Sequence, residues 1–219
     1  MKNIKAVIFD FDGTVADTID ALKHSINLTM NLFGYPESTR EDVLRNINNG
    51  ARELIRRSLP KHLRTDEEKV TEVLTAYRKM YDTVYLETKE TYEGIPEVFT
   101  ELSGRGYTLA ILSNKPDEYM PPLAEALLPK GTYKIARGQR AGAAAKPDPK
   151  CVFTLADELG VSPSECALVG DSNVDMQTAK NAGLTAVGVT WGYRSEEILR
   201  EAGADFIVHT PHEILELFK

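Results

Sequence analysis

At 219 residues the chain is long enough for one large domain or two small ones and for a sizeable buried core. A net charge of −7 and an isoelectric point near 5.2 exclude a partner held by phosphate-backbone contacts, which needs a basic stripe that the sequence lacks. Two cysteines, Cys151 and Cys166, are too few for a disulfide framework and read as buried, inert thiols. With no signal peptide and no apolar run near the ~20 residues of a membrane helix, a soluble cytoplasmic protein is expected, with no nucleic-acid or membrane partner.

In chain order, Lys5 to Phe9 is a β-branched apolar run that ends in Asp10-Phe11-Asp12-Gly13-Thr14. An unbroken apolar run predicts a strand buried on both faces. Ile19, Leu22, Ile26, Met30 and Phe33 then fall at helical spacing, with Asp17 or Thr18 placed to cap the start and Gly34 and Pro36 to end it. A short helix is expected from Thr39 through Ile47, a break at Asn48-Asn49-Gly50, and a second helix over Ala51 to Leu59. Thr65-Asp66-Glu67-Glu68 has the capping-box pattern and opens a long amphipathic helix carrying Val70, Val73, Leu74, Tyr77, Tyr81 and Val84. From about residue 16 to residue 86 no strand signal occurs.

Past Gly94 the pattern turns to alternating helices and strands. Helix signals cover Ile95 to Leu102, then up to about Leu128, then the stretch after Lys146-Pro147-Asp148-Pro149, and last the segment from Pro211. Strand signals cover Tyr107 to Leu112, Tyr133 to Ala136 more weakly, Cys166 to Val169, Ala186 to Val189 and Asp205 to Val208. Such alternation predicts an α/β fold with a doubly wound parallel sheet. Residues 1–15 and 87–219 would form it, and residues 16–86 would be an all-helical insert seated as a cap.

The polar clusters Asp10 with Asp12, Ser113 with Asn114, and Asp171 with Asp175 all follow strands, so a parallel sheet gathers them at one edge. Two carboxylates one residue apart on a tight turn repel each other unless a cation lies between them. Mg²⁺ suits them, because a hard cation takes one or two carboxylates and leaves its other positions to water and phosphate oxygens. The stretch therefore predicts a metal-dependent phosphoryl site, with Gly13 letting the backbone approach a phosphate. Taken singly, Ser113 reads as a helix cap, and Lys115 stays undecided, since an exposed lysine there needs no role. Lys146 alone reads as solvated before a helix that Pro147 starts, and Asp171 with Asp175 as ordinary helix-start acids.

Together these stretches resemble the four motifs of the haloacid dehalogenase superfamily, in order along the chain. Asp10-Phe11-Asp12-Gly13-Thr14-Val15-Ala16-Asp17-Thr18 matches the first, DxDGTxxDT, at every specified position. Leu112-Ser113-Asn114-Lys115 resembles the second, Lys146-Pro147-Asp148-Pro149 the third, and Gly170-Asp171-Ser172-Asn173-Val174-Asp175-Met176 the fourth. The resemblance implies a Rossmann-like core with a helical cap, and Asp10 as nucleophile with Asp12 as general acid and base. It further implies phosphoryl binding by Ser113 and the Asn114 amide, and charge compensation by Lys146. Mg²⁺ would be held by Asp10, the Asp12 carbonyl and Asp171, with Asp175 behind them. The whole chain looks most like phosphoglycolate-phosphatase-like members, whose partner is a small phosphorylated metabolite.

In the cap, Asn48-Asn49-Gly50-Ala51-Arg52 departs from the Gly-x-Gly of many such members, and Arg52 is a candidate for a substrate carboxylate. Asp12 argues against a dehalogenase or a phosphonate hydrolase, which lack it. A pyrophosphatase or a β-phosphoglucomutase of the same fold stays open, and from another class a phosphate-binding regulator without turnover. His24, His62, His209 and His212 share no metal spacing.

Overall fold

The computed structural model describes residues 3–47 and 50–219, so the expected break at Asn48-Asn49 lies outside the described residues. The chain divides into two compact units, residues 1–17 with 90–219 and residues 18–89.

The first unit is a six-stranded, wholly parallel sheet in the order β3-β2-β1-β4-β5-β6 with helices between its strands. Its strands are β1 (Ala6–Phe9), β2 (Thr108–Pro116), β3 (Ile135–Gln139), β4 (Cys166–Gly170), β5 (Thr185–Val189) and β6 (Phe206–Val208). All four residues of β1 are fully buried, as the unbroken apolar run requires, and each fully buried Ile or Phe contributes roughly 1.5–3 kcal/mol. Phe9 packs on Phe99 with ring centroids 4.6 Å apart, pinning β1 to the helix over Ile95–Gly104. Because β1 is central and its order of neighbours reverses there, its carboxyl end is the crevice where such sheets place ligands.

Two strands run further than the sequence pattern suggests. β2 passes through the polar Ser113-Asn114-Lys115 to Pro116, and β3 starts at Ile135 and takes in Gly138 and Gln139. A register shift between Leu112 and Pro116 lets the pair continue past the irregular stretch. A short helix over Glu196–Glu201 had no clear sequence signal. Cys166 is buried, but Cys151 is only half-buried, a correction to the expectation for both.

The second unit is helical throughout, as expected: α1 (Ile19–Leu32), α2 (Arg40–Asn46), α3 (Gly50–Ser58) and α4 (Glu67–Val84), with short 3₁₀ turns after α3 and α4. Its core includes Ile26 and Met30 of α1 with Val70, Val73 and Tyr77 of α4. Two caps differ from the sequence reading. Thr18 occupies the cap position of α1 without a side-chain capping bond, while Asp17 accepts from the Tyr193 hydroxyl at 3.3 Å. α4 is capped by Asp66, which accepts from the Lys69 N–H at 2.9 Å, so the start lies one residue beyond Thr65. Among the described residues no helix is long and apolar enough to cross a membrane.

Candidate active site

Strand ends and one loop of the sheet unit assemble a single polar cluster. Asp10 follows β1 directly, and its N–H donates to the Val169 carbonyl at 2.9 Å, which extends the pairing with β4 and fixes where the side chain points. Asp10 Oδ1 accepts from the Phe11 N–H at 2.7 Å and from the Lys146 ammonium at 2.7 Å. The same ammonium donates to Asp175 Oδ1 at 2.7 Å, with only 3% of the lysine side chain exposed. One buried cation thus bridges two buried carboxylates. Asn114 holds it there: its Nδ2 donates to the Lys146 carbonyl at 2.9 Å, and its Oδ1 accepts from the Lys146 N–H at 2.9 Å.

Asp175 lies in the first turn of the helix over Asn173–Ala182 and closes its capping box. Its Oδ2 accepts from the Ser172 N–H at 3.1 Å and the Ser172 hydroxyl at 2.6 Å. Both its oxygens are therefore engaged, one by the helix start and one by Lys146. Asp171 at the end of β4 accepts from the Thr14 hydroxyl at 3.1 Å on Oδ1 and from the Tyr193 N–H at 2.7 Å on Oδ2.

Two glycines make that packing feasible. At Gly13, with φ of +88°, a Cβ would lie 2.4 Å from Asp171 Oδ2. At Gly192 it would lie 2.3 Å from Asp171 Cβ and 2.4 Å from the Gly13 carbonyl oxygen. The Trp191 indole N–H donates to the Thr14 carbonyl at 3.1 Å, fastening the segment that follows β5 to the loop that follows β1.

Lys115 corrects the sequence reading of an exposed lysine. Its side chain is 2% exposed, and its ammonium lies 3.1 Å from Asp12 Oδ1. Ser113, also buried, accepts the Lys115 N–H on its hydroxyl at 3.2 Å. Arg52 sits in the other unit, where its guanidinium donates to Glu67 at 2.7 Å and to Thr71 at 3.1 Å. The Arg56 and Arg52 guanidiniums hold the Glu67 carboxyl down to about 2.

The electrostatics of the cluster favour a cation. Burial, and then the neighbouring Asp175 charge, lift the Asp10 carboxyl well above its usual range despite Lys146. Burial and Asp175 likewise push Asp171 up to about 7, against the Tyr193 and Thr14 donors. For Lys146, burial opposes the charged form, but Asp10 and Asp175 outweigh it and keep the ammonium. Three carboxylates with one oxygen each within 4.8 Å of the others carry more negative charge than one ammonium offsets. The all-oxygen, all-carboxylate donor set fits a hard divalent ion such as Mg²⁺.

A family model described as haloacid dehalogenase-like hydrolase matches residues 7–189. The chain belongs to that family and is an enzyme of the hydrolase class. A phosphoglycolate phosphatase from Vibrio parahaemolyticus is 30% identical over 220 residues, covering 99% of this chain and 96% of that protein. One from Vibrio cholerae is 30% identical over 221 residues, covering 99% and 98%. Among solved structures, a chain from Lactobacillus delbrueckii subsp. bulgaricus, named as a candidate phosphoglycolate phosphatase, superposes with a TM-score of 0.88 at 30% identity. It covers 99% of this chain and 98% of that one.

The sequence reading missed Thr14, Tyr193 and the Asn114 side chain as partners of the motif residues. A glycine between two aromatic residues just past a buried strand, at the edge where the other clusters fall, was the available signal for the Trp191–Tyr193 segment.

Proposed function

We propose that the protein is a Mg²⁺-dependent phosphatase that hydrolyses a small phosphate monoester through an aspartyl phosphate on Asp10, with phosphoglycolate as its substrate. The names of relatives that match over nearly the full chain support the substrate class. The observation that carries the chemistry is the Lys146 ammonium at 2.7 Å from both Asp10 and Asp175, beside Asp171.

In this reading the Asp10 carboxylate attacks phosphorus while the ester bond breaks, and the Asp12 carboxyl gives its proton to the departing alkoxide. Asp12, now ionised, takes a proton from the water that attacks the aspartyl phosphate, and phosphate leaves with Asp10 restored. Ser113 and the Asn114 N–H hold phosphoryl oxygens, Gly13 leaves room for them, and Lys146 offsets the charge on Asp10 and the phosphoryl group. Asp10, Asp171 and the Asp12 carbonyl would hold Mg²⁺, with Asp175 behind them, and the ion would supply positive charge where nucleophile and phosphate meet. The helical unit, residues 18–89, serves as the insert that selects the substrate.

The test is phosphate release with Mg²⁺ across phosphoglycolate, sugar phosphates, nucleotides and pyrophosphate, compared as kcat/KM. Phosphoglycolate should lead. A different leading compound removes the substrate, and no release from any of them removes the phosphatase reading.

A further inference from the structure

Lys115 is the second buried ammonium of the site, and the chemistry so far gives it nothing to do. Lys146 already serves the nucleophile, and Ser113 with the Asn114 amide serves the phosphoryl group. Lys115 stands on the other side, 3.1 Å from Asp12, the residue that meets the departing oxygen. Burying an ammonium is costly unless it meets charge, and for this lysine, with 2% of its side chain exposed, Asp12 supplies that charge at the point where the departing oxygen is met.

The backbone holds it in place. The alternation of β2 leaves Ser113 and Lys115 buried and Asn114 between them half-buried, so Ser113 and Lys115 share a face while Asn114 turns to clasp Lys146. Gly138 of β3 packs so closely that a Cβ there would lie 2.3 Å from the Lys115 carbonyl oxygen. The Lys115 N–H is tied to Ser113. The lysine root cannot drift, and its ammonium is fixed beside the acid group.

We infer that Lys115 is the residue that selects the leaving group, by pairing its ammonium with a carboxylate attached to the carbon next to the ester oxygen. The inference rests on the phosphatase reading and names the substrate class within it: monoesters of 2-hydroxy acids. When Asp12 meets the ester oxygen, a carboxylate on the adjacent carbon lies two carbon atoms from that oxygen, within reach of the cation that Asp12 touches. A neutral alkyl leaving group brings no second charge to the ammonium and gains nothing from it.

Phosphoglycolate and ethyl phosphate test this directly, since they share the ester and differ in a carboxylate against a methyl group. The unaltered protein should prefer phosphoglycolate by about 100-fold or more in kcat/KM, as sites built to pair a polar group reject the analogue lacking it. Lys115→Met and Lys115→Gln should bring the two substrates within about tenfold, chiefly by raising KM for phosphoglycolate. The Gln variant keeps a donor to Asp12, so it carries the comparison if the Met variant melts below the assay temperature. An unaltered protein that treats both substrates alike overturns the inference, as does a variant that keeps the preference. Losses of equal size on both substrates also overturn it, because they make Lys115 a support for Asp12 alone. Release of phosphate from neither substrate nor from p-nitrophenyl phosphate is a failure of the phosphatase reading itself, and the inference falls with it.

Discussion

Asp10 and Lys146 share one contact, so each residue's chemistry is set by the other. Asp10→Asn removes the oxygen proposed to attack while keeping the side chain's shape and its bond to Phe11, and turnover should fall by about 10³-fold or more with no acid-stable phosphate label on the protein. Substantial residual release would remove Asp10 as nucleophile. Protonation offers a second check. The Asp10 and Asp171 carboxyls are raised above their ordinary value of 3.8, Asp171 to about 7, so without metal their contribution favours the fold below pH 4 and is lost as pH rises toward 7.

A bound divalent ion offsets that loss by replacing the protons. At about 100 times its dissociation constant, Mg²⁺ should raise the unfolding midpoint by roughly 5–10 °C at pH 8, and by clearly less at pH 5. An equal rise at both pH values would place the ion elsewhere. At this scale the motifs were legible in the sequence, and the structure brings Asp10, Lys146 and Asp171 from three of them into one cluster. The motifs did not show the burial of Lys115 or the side-chain bonds of Asn114 to Lys146, which depend on a strand that sequence patterning ends too soon.

At the scale of elements, polar residues hide strands and helix starts shift by a residue. Ser113-Asn114-Lys115-Pro116 looks like a turn because strands there usually carry apolar side chains, yet β2 continues through it and pairs Pro116 with Gln139 of β3. The signal for α4 fits Thr65 and Asp66 about equally, and the aspartate takes the cap. The segment after β5 makes a sharper prediction. A Cβ on Gly192 meets the Asp171 Cβ and the Gly13 backbone, neither of which is a flexible chain end. Gly192→Ala should cost about 1–3 kcal/mol of stability and blunt the Mg²⁺-induced rise in the unfolding midpoint. A variant as stable and as Mg²⁺-responsive as the parent would mean that the segment does not brace Asp171.

At the scale of the whole molecule, both junctions with the helical unit fall near one backbone contact of the sheet unit. The Tyr92 N–H donates to the Val15 carbonyl at 3.0 Å, so the chain entering and leaving residues 18–89 does so from adjacent points. A short Gly-rich loop in place of residues 18–89 should therefore leave a folded α/β unit, since closing a short loop between adjacent points costs little. That unit should retain the Mg²⁺ response and lose its discrimination between phosphate esters. An excised form that does not fold would assign the helical unit a structural role. The long strand-free stretch put an all-helical insert at residues 16–86, and the helical unit spans residues 18–89.

The central place of β1 also governs the order in which the protein can become active. Ala6 lies in register with Thr108 on one side and Cys166 on the other, so the strand that leads into Asp10 is made before either neighbour and enclosed only after both. Until both neighbours have left the ribosome, Ala6-Val7-Ile8-Phe9 is an apolar segment with two open edges, the kind of surface that chaperones bind and that aggregates when left waiting. Pairings so distant along the chain also slow the search for the native sheet. Hydrolytic competence should thus arise late in biogenesis and all at once, when the second flanking strand docks.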